Sequence, residues 1–439
     1  MRHWILVVCL VGCGDDAVGK LPDAPPPPAC AAVTGAGAMH VGTIATAETW
    51  TAADSPHLVP ADLTVNATVT IEACAVVRIA DDRSINVRAG GSLVAAGMPD
   101  LPVTIERADP TASWASIAAL GGGTLSFTHT NITGGGDPLN RVIGLAGALD
   151  VAGSAPATAG ILHVDHVSIA GSESNGVNLH DGGGFDTSST DLTITGSVVA
   201  PIVTFARHVG TIPSGTYTGN TEDAIVIRGT GGPEAIAEDA TMHARGVPYR
   251  VGLAANAVLD VVNVNAPPTL TIEPGVKLKF TTGSTLRIDP ASGTTPAAGT
   301  LIAAGTLVDP IIFTSAADTP AAGDWFGIWL GRAPTPATKI DHARVEFAGR
   351  ASGSGSDSCL PVGQTGPNDA AIRILGGIPA SVFITNTHIV SSARHGIDLG
   401  FRSDAKPDFA TPNTFTNVPG CATTTPRDAN GACPVVTCP

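Results

Sequence analysis

The feature of this sequence that most restricts its fold is that its apolar runs are short and regularly interrupted. Val, Ile and Thr gather in brief stretches, and Gly, Pro, Asn or Asp separates comparable stretches at a spacing of roughly ten residues. Such runs are typical of β-strands rather than of amphipathic helices. The 52 glycines and 34 prolines would interrupt helices, and a hydrophobic content of 43% is too high for a disordered chain. These properties predict an all-β protein.

Similar phrases recur in the same order in the two halves of the chain. Thr-Ile-Glu at residues 70–72 returns at residues 271–273, and Trp114 aligns with Trp325. Longer matches join residues 91–108 to residues 299–316 and residues 162–179 to residues 382–399. We interpret the pattern as an internal duplication.

Two architectures suit short strands at this spacing, namely a tandem of β-sandwiches and a parallel β-helix. A sandwich needs many two-residue hairpin turns, and few such signals occur here, at Asn175-Gly176 and Asn430-Gly431. A stacked coil needs small residues at its corners and aliphatic residues inside, and its narrow interior leaves little room for large rings. The aromatic content of 4% therefore favours the parallel β-helix.

Three phrases carry a resemblance to a known family: residues 270–276 (LTIEPGV), residues 299–305 (GTLIAAG) and residues 323–328 (GDWFGI). They resemble repeat-bearing bacterial lipoproteins of the right-handed parallel β-helix, or pectate-lyase-like, superfamily. The resemblance covers nearly all of residues 40–418 and implies a fold rather than an activity. It implies a first half with an N-terminal cap over residues 30–235, a second half over residues 236–418, and a Cys-rich tail over residues 419–439.

The N-terminus has the properties of a bacterial export signal. Residues 1–12 carry one arginine and then an apolar stretch, which is too short to span a bilayer of about 30 Å. Residues 10–13 (LVGC) resemble a lipobox, which implies cleavage before Cys13 and acylation of Cys13. Residues 13–29 would then form a lipidated, Pro-rich tether. Because Gly14 is not the aspartate of an inner-membrane retention signal, we expect the outer membrane or cell surface; an ordinary signal peptide is the alternative.

Six cysteines remain once Cys9 leaves with the signal and Cys13 is acylated: Cys30, Cys74, Cys359, Cys421, Cys433 and Cys438. An even number in an exported chain indicates disulfides, although six cysteines allow fifteen pairings. In the family resemblance, Cys74 takes the corner position held by Gly275 in the second copy, which favours a bridge to Cys30. We also expect Cys433 to close a small loop with Cys438, and Cys359 to bond to Cys421.

The charge of the chain restricts its partners. The formal charge is −15 at pH 7, and no basic stripe interrupts the acidic balance, so we expect no nucleic acid partner. An acidic surface also repels anionic polysaccharides unless cations intervene. The expected partners are the membrane, through the lipid anchor, and a cell-surface glycan or protein.

The acidic and histidine residues do not form a recognisable catalytic motif. Adjacent strand residues point to opposite faces, so we interpret three neighbouring carboxylate pairs as loop or corner residues: Asp81/Asp82, Glu222/Asp223 and Glu238/Asp239. Residues 394–399 (RHGIDL) resemble the Gly-His-Gly segment of polygalacturonases, but the accompanying signatures of that family are not found with it. We therefore interpret His395 as part of an ordinary strand.

Histidines and aspartates at residues 163–166 and 180–181 raise the question of a metal site. His163 and Asp165 share a strand face, whereas a metal site needs three or four convergent ligands. We interpret them as exposed strand positions and predict no metal and no cofactor.

Tryptophans are the remaining candidates for binding. The mature chain has Trp50, Trp114, Trp325 and Trp329. Because Trp114 and Trp325 occupy equivalent positions, we expect both to pack under a loop. Trp329 follows Trp325 by four residues, so we expect the two on the same side of a strand, with Trp329 marking a ligand groove.

The sequence therefore predicts a lipid-anchored, exported β-helix that acts as a surface scaffold or adhesin-like binding module without catalysis. The alternative is a carbohydrate-active enzyme, either a polysaccharide lyase or a glycoside hydrolase, acting on an exposed strand face. A third possibility is a purely structural envelope protein.

Overall fold

The computed structural model describes residues 29–137, 146–153, 161–180, 182–229, 234–263, 265–288, 299–332, 334–362, 366–436 and 438. The predicted signal peptide, the lipobox with Cys13, and the tether up to residue 28 lie outside the described residues, as does Asp181.

Within the described residues nearly all regular structure is β-strand. The only helices in this part of the chain are two 3₁₀ helices, Ala52–Asp54 and Ala206–Thr211. None of its helices is long and apolar enough to cross a bilayer. The strands are β1 Ala38–Met39, β2 Gly42–Ile44, β3 Glu48–Trp50, β4 His57–Val59, β5 Leu63–Val65, β6 Thr68–Glu72, β7 Val76–Ile79, β8 Ile85–Val87, β9 Ser92–Ala96, β10 Val103–Arg107, β11 Ile117–Leu120, β12 Thr124–Thr133, β13 Gly147–Ala152, β14 Ile161–Ala170, β15 Asn175–His180, β16 Gly184–Phe185, β17 Thr190–Thr195, β18 Ile202–Thr204, β19 Gly215–Thr216, β20 Ile225–Ile227, β21 Ala240–Met242, β22 Tyr249–Val251, β23 Val258–Val261, β24 Thr269–Ile272, β25 Lys277–Phe280, β26 Thr285–Ile288, β27 Thr300–Ala304, β28 Ile311–Ser315, β29 Gly327–Leu330, β30 Lys339–Asp341, β31 Ala343–Glu346, β32 Ser358–Cys359, β33 Ala370–Leu375, β34 Ile384–Thr385, β35 His388–Val390, β36 His395–Gly400, β37 Thr414–Thr416 and β38 Thr425–Pro426.

Apart from the antiparallel pair β32 and β38, these strands form parallel sheets in which strands of successive coils lie side by side. Sheet 1 has 14 strands in the order β2-β5-β8-β11-β13-β15-β18-β20-β22-β25-β28-β31-β35-β37. Sheet 2 has 12 strands, which run from β1 to β19. Sheet 3 contains β21-β24-β27-β30-β34, and sheet 4 contains β23-β26-β29-β33-β36. The chain is thus a parallel β-helix, as its short runs and scarce hairpin signals predicted.

The winding is continuous across the boundary between the two predicted halves. Sheet 1 passes through this boundary without interruption, while sheet 2 ends at β19 and sheets 3 and 4 begin at β21 and β23. Strands from matching sequence positions, such as β7 and β25, consequently belong to different sheets. The second half does not simply continue the faces of the first half, and the duplication itself stays a prediction.

One hydrophobic core fills the interior from the first coils to the last. Alternate residues of each strand point inward, and the buried cluster extends without a break from Ile44 to Phe409. Trp114 and Trp325 both lie in this core, and each indole Nε1 donates to a backbone carbonyl, of Thr133 and Glu346 respectively. Both tryptophans are therefore packing residues, as their equivalent positions predicted.

A stack of aromatic and imidazole rings closes the N-terminal end of the core. Trp50 is almost fully buried, and its ring lies 4.1 Å from the ring of His40 and 5.3 Å from that of His57. Glu48 Oε1 accepts a 2.7 Å hydrogen bond from Trp50 Nε1. His40, Trp50 and His57 thus lie together at the N-terminal end of the core.

The first disulfide pairs Cys30 with Cys74, as we expected. Cys74 has a φ of 65° and Gly275 has a φ of 79°, so both occupy left-handed corners between strands. The bridge ties the entering segment to the corner after β6.

The other two disulfides correct the sequence prediction. Cys359 bonds to Cys433, and Cys421 bonds to Cys438, so the expected Cys359–Cys421 and Cys433–Cys438 bridges are wrong. The reason is a short antiparallel pair: β32, which contains Cys359, lies beside β38, and the chain after β38 returns to Cys359. Both bridges hold the tail against the last coils.

Candidate functional site

A row of polar and aromatic side chains crosses the outward-facing side of sheet 4, and parts of it are covered by other segments. Residues of five strands stand in register, each one directly beside the next. They are Asp260 on β23, Arg287 on β26, Trp329 on β29, Arg373 on β33 and Asp398 on β36. We call this set the arginine–tryptophan row.

The alternation of β29 decides which way Trp329 points. Its neighbours Ile328 and Leu330 belong to the core, so Trp329 faces outward and is partly exposed. Trp325 precedes the strand and points inward, where its ring stacks on Phe280 at 4.1 Å. The expectation that Trp325 and Trp329 share one side is therefore wrong, because strand alternation applies only from Gly327 onward.

Trp329 has a second aromatic ring beside it. Phe326 is partly exposed, and its ring centroid lies 5.7 Å from that of Trp329. Together the two rings, inclined at 55° to each other, form a partly exposed apolar patch, which we call the platform. The sequence did not single out Phe326 as a candidate, although it lies in the phrase GDWFGI at residues 323–328.

Arg287 occupies the strand position directly beside Trp329. Its Nε donates to Asp260 Oδ1 and its Nη2 donates to Asp260 Oδ2, each at 2.7 Å. This is the bidentate geometry of a strong ion pair. The Arg287 side chain is 31% exposed, whereas that of Asp260 is 3% exposed. Among the described residues Arg287 Nη1 has no acceptor, so it remains an oriented donor next to Trp329.

Arg373 lies on the other side of Trp329 and is completely buried. Its guanidinium carbon lies 5.1 Å from the Trp329 ring centroid, within the range of a cation–π contact. Arg373 also lies 3.3 Å from Asp398 Oδ2 and 3.6 Å from Asp369 Oδ1. The guanidinium therefore covers one face of the indole.

A Gly/Ser-rich segment, residues 352–358, covers Arg373 and Asp398. Arg373 donates to Ser352 Oγ and to the carbonyl oxygens of Ser354 and Gly355, at 3.1–3.2 Å. Ser358 Oγ donates to Asp398 Oδ1 at 2.6 Å. Burial raises the pKa of Asp398, while Arg373 and the hydroxyl donors act in the opposite direction. This end of the row is thus a closed polar network.

His395 occupies a structural position. It is fully buried at the start of β36, and its Nδ1 accepts a 2.9 Å hydrogen bond from the backbone N–H of Cys421. Burial lowers the pKa of His395 to about 4. A buried imidazole that holds the backbone in this way agrees with the interpretation of residues 394–399 as an ordinary strand.

The neighbouring carboxylate pairs serve local structure. Glu222 is paired with Arg250 at 2.5 Å, and Asp223 accepts from the backbone N–H of Asn220. Asp239 accepts from the backbone N–H of Thr269, which leads into β24. Asp82 has a φ of 55° at a corner. These contacts agree with their interpretation as loop or corner residues.

Histidines of the first half meet aspartates at a corner of sheet 2. His166 Nδ1 lies 2.7 Å from Asp165 and its Nε2 lies 3.3 Å from Asp191, and the three side chains have ligand atoms within 4.8 Å of one another. His163 instead contacts Asp186, at 3.7 Å. The structure thus groups Asp165 with His166 rather than with His163. Both ring nitrogens of His166 thus lie next to carboxylates, and the three side chains form one partly exposed polar cluster at this corner.

A pocket of ≈230 Å³ lies at the C-terminal end, where Lys406 and Asp408 are among its lining residues. Lys406 Nζ donates to Thr425 Oγ1 at 3.1 Å, and Asp408 accepts from Thr411 Oγ1 at 2.6 Å. The volume is below that of most ligand pockets, and both charged groups are hydrogen-bonded to threonines of the protein itself. We therefore assign this pocket to the packing of the Cys-rich tail against the last coils.

Comparison with known proteins identifies the fold of the central segment. Residues 252–359 match the family model described as a pectate-lyase-like beta helix domain. This segment and the parallel sheets together support the pectate-lyase-like superfamily. The match contains Asp260, Arg287 and Trp329 of the row. No curated protein and no solved structure matches the chain.

Proposed function

We propose that the protein is an exported, lipid-anchored binding module that recognises its ligand through the arginine–tryptophan row and carries out no catalysis. One observation carries the proposal: Trp329 and Phe326 form a partly exposed aromatic pair beside an oriented, unoccupied donor of Arg287. All three side chains project from or beside a parallel sheet over a filled core, which holds the surface in place without a ligand.

The carboxylates of the row argue for binding over hydrolysis. Asp260 and Asp398 are four strand spacings apart, or about 19 Å, whereas glycosidases place two carboxyl groups within about 10 Å. Each of the two is also bonded to an arginine. Neither is free to act as a proton donor or as a base.

The anchor is the second element of the proposal. It is supported by the lipobox-like residues 10–13 and by three disulfides, which are typical of exported proteins. In a bacterial host we expect the protein to incorporate labelled palmitate and to fractionate with the envelope. A Cys13→Ser variant should lose the label and leave the membrane fraction; equal labelling of both proteins would contradict the anchor.

The binding role is tested with the mature domain on an array of cell-surface glycans and envelope proteins. We expect retention of a ligand by the native domain, loss of retention in Trp329→Ala, and partial retention in Trp329→Phe. The control is Leu307→Ala, which removes an 88% exposed apolar side chain away from sheet 4. Equal retention by the native and Trp329→Ala domains would rule out this surface.

A carbohydrate-active enzyme is the second candidate, favoured by the grouping of Asp165, Asp191 and His166 at one corner. If this corner is catalytic, the native domain should release products from polymeric substrates, with unsaturated uronides appearing only when calcium is present if it is a lyase. Asp191→Asn should abolish the release, and Trp329→Ala should leave it unchanged. Ligand retention without any product would favour the binding module.

A further inference from the structure

We infer that the ligand of the arginine–tryptophan row is an uncharged saccharide rather than an acidic one. This inference rests on the proposed function and adds the chemical class of the ligand. It follows from the charges of the row, from the Nη1 donor of Arg287, and from the platform formed by Trp329 and Phe326.

The positive charge of each arginine in the row is neutralised by neighbouring aspartates. Arg287 is neutralised by Asp260 through two hydrogen bonds of 2.7 Å. Arg373 is matched by both Asp398 and Asp369. Two guanidinium groups therefore face three carboxylates, in a chain whose formal charge is −15. A uronate or sulfate ester placed here would gain little from Arg287 and would be repelled by the remaining field.

The donor that remains suits a hydroxyl group. Arg287 Nη1 has no acceptor among the described residues, and the bidentate pair with Asp260 fixes the plane of the guanidinium. A neutral sugar hydroxyl can accept from this group without disturbing the ion pair. A carboxylate ligand would instead compete with Asp260, which is 3% exposed and would be left buried without its partner.

The platform supplies the apolar part of the contact. The Trp329 and Phe326 rings are partly exposed, and because Arg373 covers one face of the indole, a ligand would contact the exposed remainder of the two rings. Trp329 Nε1 is buried and has no hydrogen-bond partner among the described residues, so the ring offers its carbon surface rather than a donor. The C–H face of a pyranose matches such a surface, while the sugar hydroxyls reach Arg287.

The test measures binding of the mature domain to neutral oligosaccharides and to oligouronates at low and high salt. We expect neutral oligosaccharides to bind, with an affinity that changes by less than about twofold when salt is raised, because no net charge is paired. Trp329→Ala should weaken binding about tenfold or more, and Arg287→Lys, which keeps the charge next to Asp260, should weaken it about fivefold.

A charge variant makes the test sharper. Asp260→Asn removes the carboxylate that neutralises Arg287, so we expect this variant to acquire salt-sensitive binding to oligouronates. Its matched control is Glu346→Gln, which makes the same change in net charge at the Arg344–Glu346 ion pair on sheet 1. Thermal unfolding of each variant checks that the domain remains folded.

The outcomes separate this inference from the proposed function. Trp329-dependent, salt-insensitive binding to neutral glycans supports both. Trp329-dependent binding of the native domain to oligouronates, or to a protein alone, overturns the neutral-saccharide inference and leaves the binding module standing. Absence of any Trp329-dependent ligand overturns the proposed function and this inference with it.

Discussion

At the scale of single residues, position relative to the coil decides what a tryptophan does. Trp325 and Trp329 are four residues apart, yet Trp325 is in the core and Trp329 is on the surface. The difference arises at Gly327, the first residue of β29, which has a φ of 117°. A Cβ at Gly327 would lie 2.3 Å from the carbonyl oxygen of Ala371, so only glycine fits there.

The two tryptophans should respond differently to truncation. Trp325→Ala removes a fully buried ring that stacks on Phe280, and we expect the free energy of unfolding to fall by about 3–5 kcal/mol. Trp329→Ala should lower it by only about 1 kcal/mol, because part of the ring is already in water. Chemical denaturation measures both values; an equal loss in the two variants would contradict the outward orientation of Trp329.

Buried histidines should make stability depend on pH. Burial lowers the pKa of His395 from its ordinary value of about 6.5 to about 4, so the unfolded chain binds a proton that the folded chain does not. The stabilisation is complete above about pH 6.5 and is lost as the pH falls toward 4, amounting to about 3 kcal/mol for this residue. Carboxylates with lowered pKa values, such as Asp341, act in the same direction at still lower pH.

The contribution of His395 can be isolated by measuring unfolding free energies of the native protein and of His395→Gln between pH 7.5 and 4. We expect the variant to be less stable at neutral pH and to lose less stability on acidification. Parallel pH curves for the two proteins would contradict the lowered pKa of His395, because the folded and unfolded chains would then bind its proton equally.

At the scale of elements, the register of sheet 4 creates the site. Each member of the row comes from a different strand, and residues adjacent in the row are 25 to 44 positions apart in the chain. Local sequence reasoning identified Trp329 as a candidate, but it could not place Arg287 and Arg373 on either side of it. Which residues become neighbours depends on the length of every intervening corner and loop.

The covered end of the row should be important for local order. Arg373→Ala leaves Asp398 buried without its cation and removes three bonds to residues 352–358, so we expect a loss of about 3–5 kcal/mol. This segment should also become the first site of limited proteolysis. Arg344→Ala, which breaks a more exposed ion pair, is the control and should cost under about 1 kcal/mol. Unchanged cleavage of the Arg373→Ala variant would contradict the role given to this arginine.

At the scale of the whole molecule, one core and the stacked sheets support every inner coil on both sides. The two ends are therefore the least stable parts of the fold. Terminal coils have strand edges with a neighbour on one side only, and such edges promote aggregation when they open. Disulfides lie at both ends of the chain, with Cys30–Cys74 at one and the Cys359–Cys433 and Cys421–Cys438 bridges at the other. They hold covering segments against the coils.

Removal of one C-terminal bridge should loosen that end first. In a Cys359→Ser/Cys433→Ser double variant we expect a loss of about 2–4 kcal/mol, faster amide exchange in β36 and β37, and aggregation at lower temperature. Exchange in β7 to β10, near the opposite end, should stay unchanged and serves as the internal control. Uniformly faster exchange along the chain would show that the molecule opens as one unit.

The sequence by itself determined the properties that depend on neighbouring residues: short β-runs, small corner residues, an inward aliphatic alternation, and hence a parallel β-helix. It also indicated the Cys30–Cys74 bridge, because Cys74 stands at a corner that the second half gives to Gly275. Only the tertiary structure decided the partners of Cys359 and Cys421 and the composition of the arginine–tryptophan row. The physical reason is that strand chemistry acts within a few residues, whereas contacts between coils depend on the lengths of the segments that separate them.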